Sequence, residues 1–253
     1  WVSVEDFGAT GDGVTDDLSA IHVARDALSN GGELYFPAGT YNIGSGATGI
    51  VIAGTTSKNY RLVGDGPRSI IKYTGTGDAV KFDNSAGTSI LQSMSGFKID
   101  LTGSNVAANG LHISGVWRSE FEKLYITRDS VAATGAAILA DDATNGTFDT
   151  RYRDLYINNF GRGLKMVGGV TNKVTNTLVE GAYISSCTIN VELTNAIDFT
   201  ALATQAESAT SDGVKLTTVD NFNWLGGAVE GSGGYGINCV SAVAGGEVTC
   251  LMA

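Results

Sequence analysis

Six polar residues recur at one place in a repeating pattern, each following a short apolar segment. These residues, which lie 22 to 31 positions apart, are Asp100, Thr127, Asn158, Glu180, Glu207 and Glu230. If the repeats stack as parallel strands, neighbouring members lie about 4.8 Å apart. Carboxyl groups about 5 Å apart suit a retaining glycosidase, and about 6.5–9.5 Å leaves room for an attacking water and inversion. The pattern therefore predicts Glu180, Glu207 and Glu230 as catalytic carboxylates.

Other side chains could bind a sugar chain. The planar guanidinium of Arg151 matches the carboxylate of an acidic sugar, and Arg153 offers the same chemistry. Aromatic rings can pack against sugars while their polar atoms form hydrogen bonds. The substrate-binding residues that we predict are Arg151, Asn158, Trp224 and Tyr235.

Several neighbouring residues have a simpler interpretation. Charged residues that flank predicted strands are expected to form surface ion pairs of little net stability, and these residues are Arg118, Glu120, Glu122, Arg151, Arg153 and Asp154. Trp117, Tyr156 and Tyr183 could also meet sugar rings, although most aromatic residues of a stacked-coil protein pack in its core or on one another.

Metal-dependent and lyase chemistry has little support in the residue pattern. Asp12, Asp16 and Asp17 stand in a glycine-rich turn and before a helix, where Asp accepts backbone hydrogen bonds. Asp141 is interpreted as a turn residue for the same reason. His112 lies within an alternating strand pattern, where a packed or exposed role is expected. We therefore expect no metal and no cofactor.

The elements that must position these residues come from an internal repeat. A small residue followed by alternating apolar positions recurs at intervals of 23 to 31 residues, beginning at Ala79, Gly110, Ala136, Gly163, Asn190, Gly213 and Gly236. A second apolar unit lies between these, at Phe97–Ile99, Leu124–Ile126 and Leu155–Ile157, with weaker forms near Leu178 and Leu225. Two or three short strands per repeat predict an all-β fold whose stacked coils form parallel sheets.

The first 43 residues carry a different pattern. Glycines at positions 8, 11 and 13 favour tight turns after a short first strand that ends at Phe7. Thr15 or Asp16 is predicted to cap a helix that runs to about residue 28. Two strands, 33–36 and 40–43, are predicted on either side of a Pro-Ala-Gly turn.

This motif, formed by Val4–Asp17, the helix and Tyr35–Tyr41, resembles the entry motif of the pectate lyase superfamily. Within that superfamily the chain is most similar to a phage tailspike or depolymerase domain. The resemblance implies a right-handed, single-stranded parallel β-helix. It also implies that the short N-terminal α-helix caps the first coil and takes no part in catalysis.

Length and charge narrow the possible functions. The 253 residues fit one solenoid domain, with the capping motif at 1–43 and repeating coils over about 77–253. The net charge of −10 argues against a nucleic-acid partner, and mildly against a strongly anionic ligand unless a local basic pocket overrides it. No run of 18 apolar residues is present, so we expect no membrane span. Because the chain starts at Trp1 and ends without a polar cap, we expect it to be a fragment of a longer chain.

The resemblance implies a tailspike-like domain that binds a bacterial surface polysaccharide and hydrolyses it with paired carboxylates. It further implies a homotrimer located in the virion, with an extracellular location as the alternative. Two other functions stay open. One is a non-catalytic trimeric β-helix fibre, appendage or glycan-binding module, and the other is a secreted polysaccharide hydrolase or lyase.

Overall fold

The chain winds into a parallel β-solenoid of about 8 turns. The computed structural model describes residues 1–53, 58–84, 89–129, 134–142 and 146–252, without the side chains of residues 89, 90, 142 and 252. The predicted all-β parallel β-helix with one short N-terminal helix is confirmed. In the described part of the chain, no helix is long and apolar enough to cross a membrane.

The helix α1 spans Leu18–Ala27, and 3₁₀ turns span Glu5–Phe7 and Gly66–Arg68. The strands are β1 Val2–Ser3, β2 Asp12–Asp16, β3 Gly31–Phe36, β4 Gly39–Asn42, β5 Thr48–Ala53, β6 Asn59–Gly64, β7 Ser69–Lys72, β8 Asp78–Asp83, β9 Ser89–Ile90, β10 Ser93–Asp100, β11 Asn109–Ser114, β12 Val116–Trp117, β13 Glu120–Thr127, β14 Ala136–Asp142, β15 Thr147–Phe148, β16 Arg151–Arg153, β17 Tyr156–Asn158, β18 Arg162–Gly168, β19 Val174–Glu180, β20 Tyr183–Ser185, β21 Ile189–Glu207, β22 Val214–Glu230 and β23 Ile237–Met252.

Each full coil of the described chain contributes to four parallel sheets, which we name A to D in chain order. Sheet A contains β5, β8, β11, β14, β18 and the first part of β21. Sheet B contains β9, β12, β15 and the start of β19. Sheet C contains β1, β3, β6, β16, the first halves of β10 and β13, and the second part of β19. Sheet D contains β4, β7, β17, β20 and the second halves of β10 and β13. The long strands β21, β22 and β23 each run through all four sheets.

Single residues with positive φ turn the chain from one sheet to the next. In the coil of β21, these corners are Asn195, Asp198 and Ala203, with φ values of 51°, 55° and 48°. Asn and Asp adopt this left-handed conformation more readily than other non-glycine residues. The corners keep the hydrogen-bonded ladder continuous, and therefore allow a 19-residue strand to surround the core.

The first predicted repeat forms the inner surface of sheet A. Leu111 pairs with Val80 on one side and with Ile138 on the other, and all three side chains are fully buried. The predicted alignment is therefore correct except for a one-residue shift, because Gly110 aligns with residue 137 rather than with Ala136. The small residue is required by close coil contact, since a Cβ on Gly163 would lie 2.5 Å from the carbonyl oxygen of Asn190.

The second predicted repeat is correct in its first three units and wrong in its last two. Tyr125, Tyr156 and Tyr183 are paired in sheet D, so the fourth unit is residues 182–184. The predicted weaker forms at Leu178 and Leu225 belong to sheet C instead. These leucines are only partly buried, and an apolar residue at an outward position imitates the core pattern.

The opening motif folds into the N-terminal end of the solenoid, with two changes from expectation. The first strand is shorter than predicted and is followed by the 3₁₀ turn. The helix begins after Asp17, because β2 continues through Asp16. Asp17 is buried and accepts hydrogen bonds from the backbone N–H groups of Thr10, at 2.7 Å, and Gly11, at 3.3 Å. Asp17 thus holds the glycine turn against the start of the helix.

Candidate functional site

The outer surface of sheet D carries the predicted polar column, with one member replaced. The residues aligned by strand pairing are Asp100, Thr127, Asn158, Ser185, Glu207 and Glu230. The predicted place of Glu180 in this column is wrong, and Ser185 occupies it. Glu180 lies on sheet C, between Arg153 and Leu202. The error follows from the misplaced repeat at Leu178, which shifted this coil by one sheet.

Glu207 and Glu230 are adjacent in the column. Tyr183 Oη donates a hydrogen bond to Glu207 Oε2 at 3.0 Å. Asn158 Nδ2 donates to Ser185 Oγ at 2.8 Å, so the Asn158 amide is engaged within the column. In the described part of the chain, neither glutamate forms an ion pair.

Three tyrosines are stacked beside this column. The ring centroids of Tyr125 and Tyr156 are 5.6 Å apart, and those of Tyr156 and Tyr183 are 5.5 Å apart. Because a ring packs on each face of Tyr156, that residue offers only its edge and hydroxyl to a ligand. The stack therefore presents ring edges and hydroxyl groups to a ligand, rather than open ring faces on which sugars could pack.

The two predicted aromatic binding residues have opposite environments. Trp224 is fully buried, and its ring points into the core next to Phe222, 6.2 Å away between centroids. The prediction that Trp224 binds substrate is therefore wrong, because a core side chain cannot contact a ligand. Tyr235 is 67% exposed and remains a candidate for binding.

A groove of about 580 Å³ opens along the edge between sheets B and C. Its lining residues are Arg118, Ser119, Glu120, Asp149, Arg151, Asn176, Thr177, Leu178 and Thr200. A second hollow of about 460 Å³ shares Arg118 and Asp149 and is also lined by Trp117, Phe148 and Asn172. The predicted residue Arg151 thus lies in a concave, largely polar groove, and the aromatic residues line the adjoining hollow.

The corner between sheets B and C builds this groove. Arg118, Asp149 and Asn176 occupy equivalent corner positions in successive coils, with φ between 51° and 55°. Asn176 Nδ2 donates a hydrogen bond to Asp149 Oδ1. The same kind of side-chain hydrogen bond joins the corner residues of the next coils, where Asn221 Nδ2 donates to Asp198 Oδ1 at 2.6 Å. This column was not predicted, although Asp and Asn recur at the coil spacing after each short strand.

The ion pairs of sheet C and of its corner with sheet B differ in how closely they hold each arginine. Arg153 Nη1 lies 2.5 Å from Glu120 Oε1, and Arg153 Nε lies 3.2 Å from Glu180 Oε2. Arg153 is therefore occupied, as predicted for a surface ion pair. In contrast, Arg118 is 71% exposed, and its Nε is 3.8 Å from Asp149 Oδ2. Among the described residues, Arg151 has no carboxylate partner.

His112 connects three coils of sheet A. Its Nδ1 lies 2.7 Å from Asp78 Oδ2 and its Nε2 lies 2.8 Å from Asp141 Oδ1. Burial opposes the charged ring, but hydrogen bonds to Asp141 and Asp78 prevail and raise the pKa of His112 to about 9. Both ring nitrogens therefore donate, and His112 is not available as a base. Asp141 belongs to β14, so its interpretation as a turn residue is wrong.

Within the described residues, no group of three or more His, Cys, Asp or Glu side chains could hold a metal ion. Asp12 stabilises the backbone turn in which it lies. It accepts hydrogen bonds from the backbone N–H groups of Val14 and Thr15, each at 2.8 Å. These bonds lower the pKa of Asp12 to about 2.

Three comparisons place the chain among known proteins. Mannuronan C5-epimerase AlgE2 of Azotobacter vinelandii is 44% identical over 66 residues, which are 25% of this chain and 7% of the epimerase. The N-terminal fragment of bacteriophage phi29 gene product 12 matches 92% of this chain and 43% of its own, with a TM-score of 0.72 and 17% identity. PfbA, a surface adhesin of Streptococcus pneumoniae, matches 90% of this chain and 61% of its own, with a TM-score of 0.66 and 16% identity.

At such identities the two solved structures share the fold with this chain. The chain spans less than two thirds of the length of each of these three proteins. A family model for rhamnogalacturonase A and epimerase, pectate lyase-like, matches residues 1–215. The chain therefore belongs to this pectate lyase-like family.

Proposed function

We propose that this chain is the β-helix domain of a tailspike-like protein that binds and cleaves an acidic bacterial surface polysaccharide. The observation that carries the proposal is the groove between sheets B and C, where Arg151 has no carboxylate partner among the described residues and Arg118 has only a long contact with Asp149, at 3.8 Å. Membership of a family named for polysaccharide-active enzymes supports the same class of ligand.

The groove suits an acidic sugar chain for electrostatic and geometric reasons. A guanidinium binds a carboxylate through two parallel hydrogen bonds, which fixes its orientation as well as its position. Asn176 and Thr200 add neutral polar groups that can bond sugar hydroxyls. The two arginines offset the acids of the groove, Glu120 and Asp149, so an anionic polymer is repelled less here than by the rest of a chain whose net charge is −10.

For the cleavage step, we propose Glu207 and Glu230 on sheet D. Their register on adjacent coils separates the strands by about 4.8 Å, close to the carboxylate spacing of retaining glycosidases. One glutamate would donate a proton to the leaving oxygen while the other attacks the sugar, and water deprotonated by the first glutamate would then cleave the glycosyl–glutamate bond and regenerate both groups. Tyr183 would position Glu207 through its hydrogen bond. Glu180, held by Arg153 on sheet C, stands outside this pair.

One observation favours a second candidate, a glycan-binding module without catalysis. Neither Glu207 nor Glu230 lines the groove that holds Arg118 and Arg151. A ligand in this groove therefore contacts the glutamates only if it extends onto sheet D or if chains pack side by side, as in the homotrimer that we propose. In both candidates the domain acts at the virion surface or in the extracellular space.

Binding and cleavage can be tested separately. Purified protein is titrated calorimetrically with acidic and neutral capsular polysaccharides, and released oligosaccharides are measured by size-exclusion chromatography. We expect Arg151→Ala to weaken binding of acidic polymers at least tenfold, because a hydrogen bond to a charged group contributes about 1.5–3 kcal/mol. The matched control is Arg68→Ala, an exposed arginine in a 3₁₀ turn outside the groove.

For cleavage, Glu207→Gln and Glu230→Gln should abolish release, whereas Glu122→Gln on sheet C should not. Failure of the wild-type protein to bind any acidic polymer would overturn the proposed function. Full binding without release would overturn catalysis and leave the glycan-binding module. Light scattering measures the oligomeric state of the same samples.

A further inference from the structure

Two aromatic rings meet at a right angle at one end of the groove. Trp117 and Phe148 are paired in register on adjacent coils of sheet B. Their ring centroids are 5.1 Å apart and their planes are inclined by 87°. Both line the hollow of about 460 Å³ that adjoins the arginine groove. The two rings form a notch with one apolar wall on each side.

The notch is held in place by its own contacts. Trp117 Nε1 donates a hydrogen bond to the carbonyl oxygen of Gly146 at 3.3 Å, which sets the orientation of the indole. Gly146 has a φ of 72°, and a Cβ there would lie 2.6 Å from the Phe148 ring. The glycine therefore gives room for the phenyl ring to lie against the backbone. Preorganised aromatic side chains of this kind lose little entropy when a ligand binds.

We propose that this notch binds the acetyl group of an O- or N-acetylated sugar next to the acidic sugar held by Arg118 and Arg151. This inference rests on the proposed function and specifies its substrate. A flat sugar ring can cover only one face of a perpendicular pair, whereas a methyl group fits into the corner and contacts both rings. Arg118, shared by both hollows, presents N–H donors to the acetyl carbonyl.

Four oligosaccharide probes distinguish the contribution of the acetyl group to affinity from that of the acidic sugar. The first pair is a heparosan octasaccharide, in which glucuronate alternates with N-acetylglucosamine, and its N-formyl counterpart, which lacks only the methyl group. The second pair is oligogalacturonate of equal length with and without O-acetyl groups. Affinities are measured by calorimetry. We expect at least one acetylated probe to bind roughly fourfold more tightly than its partner, as burial of one methyl group predicts.

Two variants test whether the preference for acetylated probes comes from the notch. Trp117→Leu keeps an apolar side chain but removes the corner, so it should bind acetylated and unacetylated probes equally. Arg151→Ala should weaken binding of all four probes. Thermal unfolding followed by circular dichroism checks that both variants are folded. If the wild-type protein binds the acids with no acetyl preference in either pair, or if Trp117→Leu keeps that preference, the acetyl inference is wrong while the proposed function stands. If it binds none of the four probes, the acetyl inference is wrong, and the titrations with capsular polysaccharides decide the proposed function separately.

Discussion

Glu207 lies directly beside Glu230 on the next coil of sheet D, in register, and Tyr183 bonds only the first of them. Two like charges placed opposite one another on neighbouring strands destabilise a sheet by up to about 1 kcal/mol. Such a cost has to be offset elsewhere in the fold. The repulsion between Glu207 and Glu230 is the physical reason for proposing this pair as catalytic residues.

Replacing one member of the pair should therefore increase stability. We expect Glu230→Gln to raise the free energy of unfolding by up to about 1 kcal/mol, because the amide removes one charge at nearly constant size. Urea unfolding at neutral pH measures the change, and Glu122→Gln is the control. A fall in stability for Glu230→Gln would show that the glutamates do not repel each other.

His112 should make stability depend on alkaline pH. Burial opposes its charge, but Asp141 and Asp78 raise its pKa to about 9, above the ordinary value of 6.5. The stabilisation by the contacts of His112 with Asp78 and Asp141 is therefore fully present below about pH 6.5. Its contribution of about 3 kcal/mol to the free energy of unfolding is lost as the pH rises to about 9. Urea unfolding between pH 6 and 9.5 should show this loss in the wild type, and His112→Gln should largely remove it.

His22 offers a control of opposite sign. Burial lowers its pKa, so its neutral form is favoured in the folded state. Its contribution is present above about pH 6.5 and is lost as pH falls below that value. We expect His22→Gln to change the pH dependence only on the acidic side. If the free energy of unfolding of His112→Gln falls with alkaline pH as steeply as that of the wild type, the role assigned to the contacts of His112 with Asp78 and Asp141 is wrong.

Trp224 should act on stability and not on binding. Because its side chain is fully buried, we expect Trp224→Ala to lower the free energy of unfolding by about 3–5 kcal/mol. Tyr235→Ala, at an exposed position, should change it by less than about 0.5 kcal/mol. Chemical unfolding of both variants tests this contrast, and a smaller loss for Trp224→Ala than for Tyr235→Ala would contradict it.

Close coil packing should make Gly163 intolerant of a methyl group. A Cβ there would lie 2.4 Å from Ile184 Cγ2 and 2.5 Å from the carbonyl oxygen of Asn190. We expect Gly163→Ala to destabilise the protein by about 1–3 kcal/mol. At Gly46 the nearest atom is 3.8 Å away, so Gly46→Ala should be neutral or stabilise by about 0.4–1 kcal/mol. Differential scanning calorimetry of the two variants provides the comparison, and equal melting temperatures would argue against tight packing at Gly163.

Much of the fold could be predicted from local patterns. The small residue before each strand of sheet A marks the close approach of coils, and the alternation after it marks the core. The same reasoning failed at Leu178, because a partly exposed leucine on sheet C looks like a core residue when only its neighbours in sequence are considered. That single shift moved Glu180 into the wrong column.

The candidate site was less predictable, because its residues are distant in sequence. Arg151 was identified from its chemistry alone, whereas only the structure shows that Arg153, and not Arg151, binds Glu120 and Glu180. The pairing of Trp117 with Phe148 likewise depends on the register of sheet B.

The sequence alone determined that this chain is a parallel β-helix with a helical N-terminal cap, since repeat length, alternation and turn residues are local properties of the chain. Only the tertiary structure decided which acids share a sheet, which arginines stay available and where a groove opens. The reason is that these relationships join residues one coil apart, and the register between coils of unequal length is set by backbone pairing rather than by the local pattern.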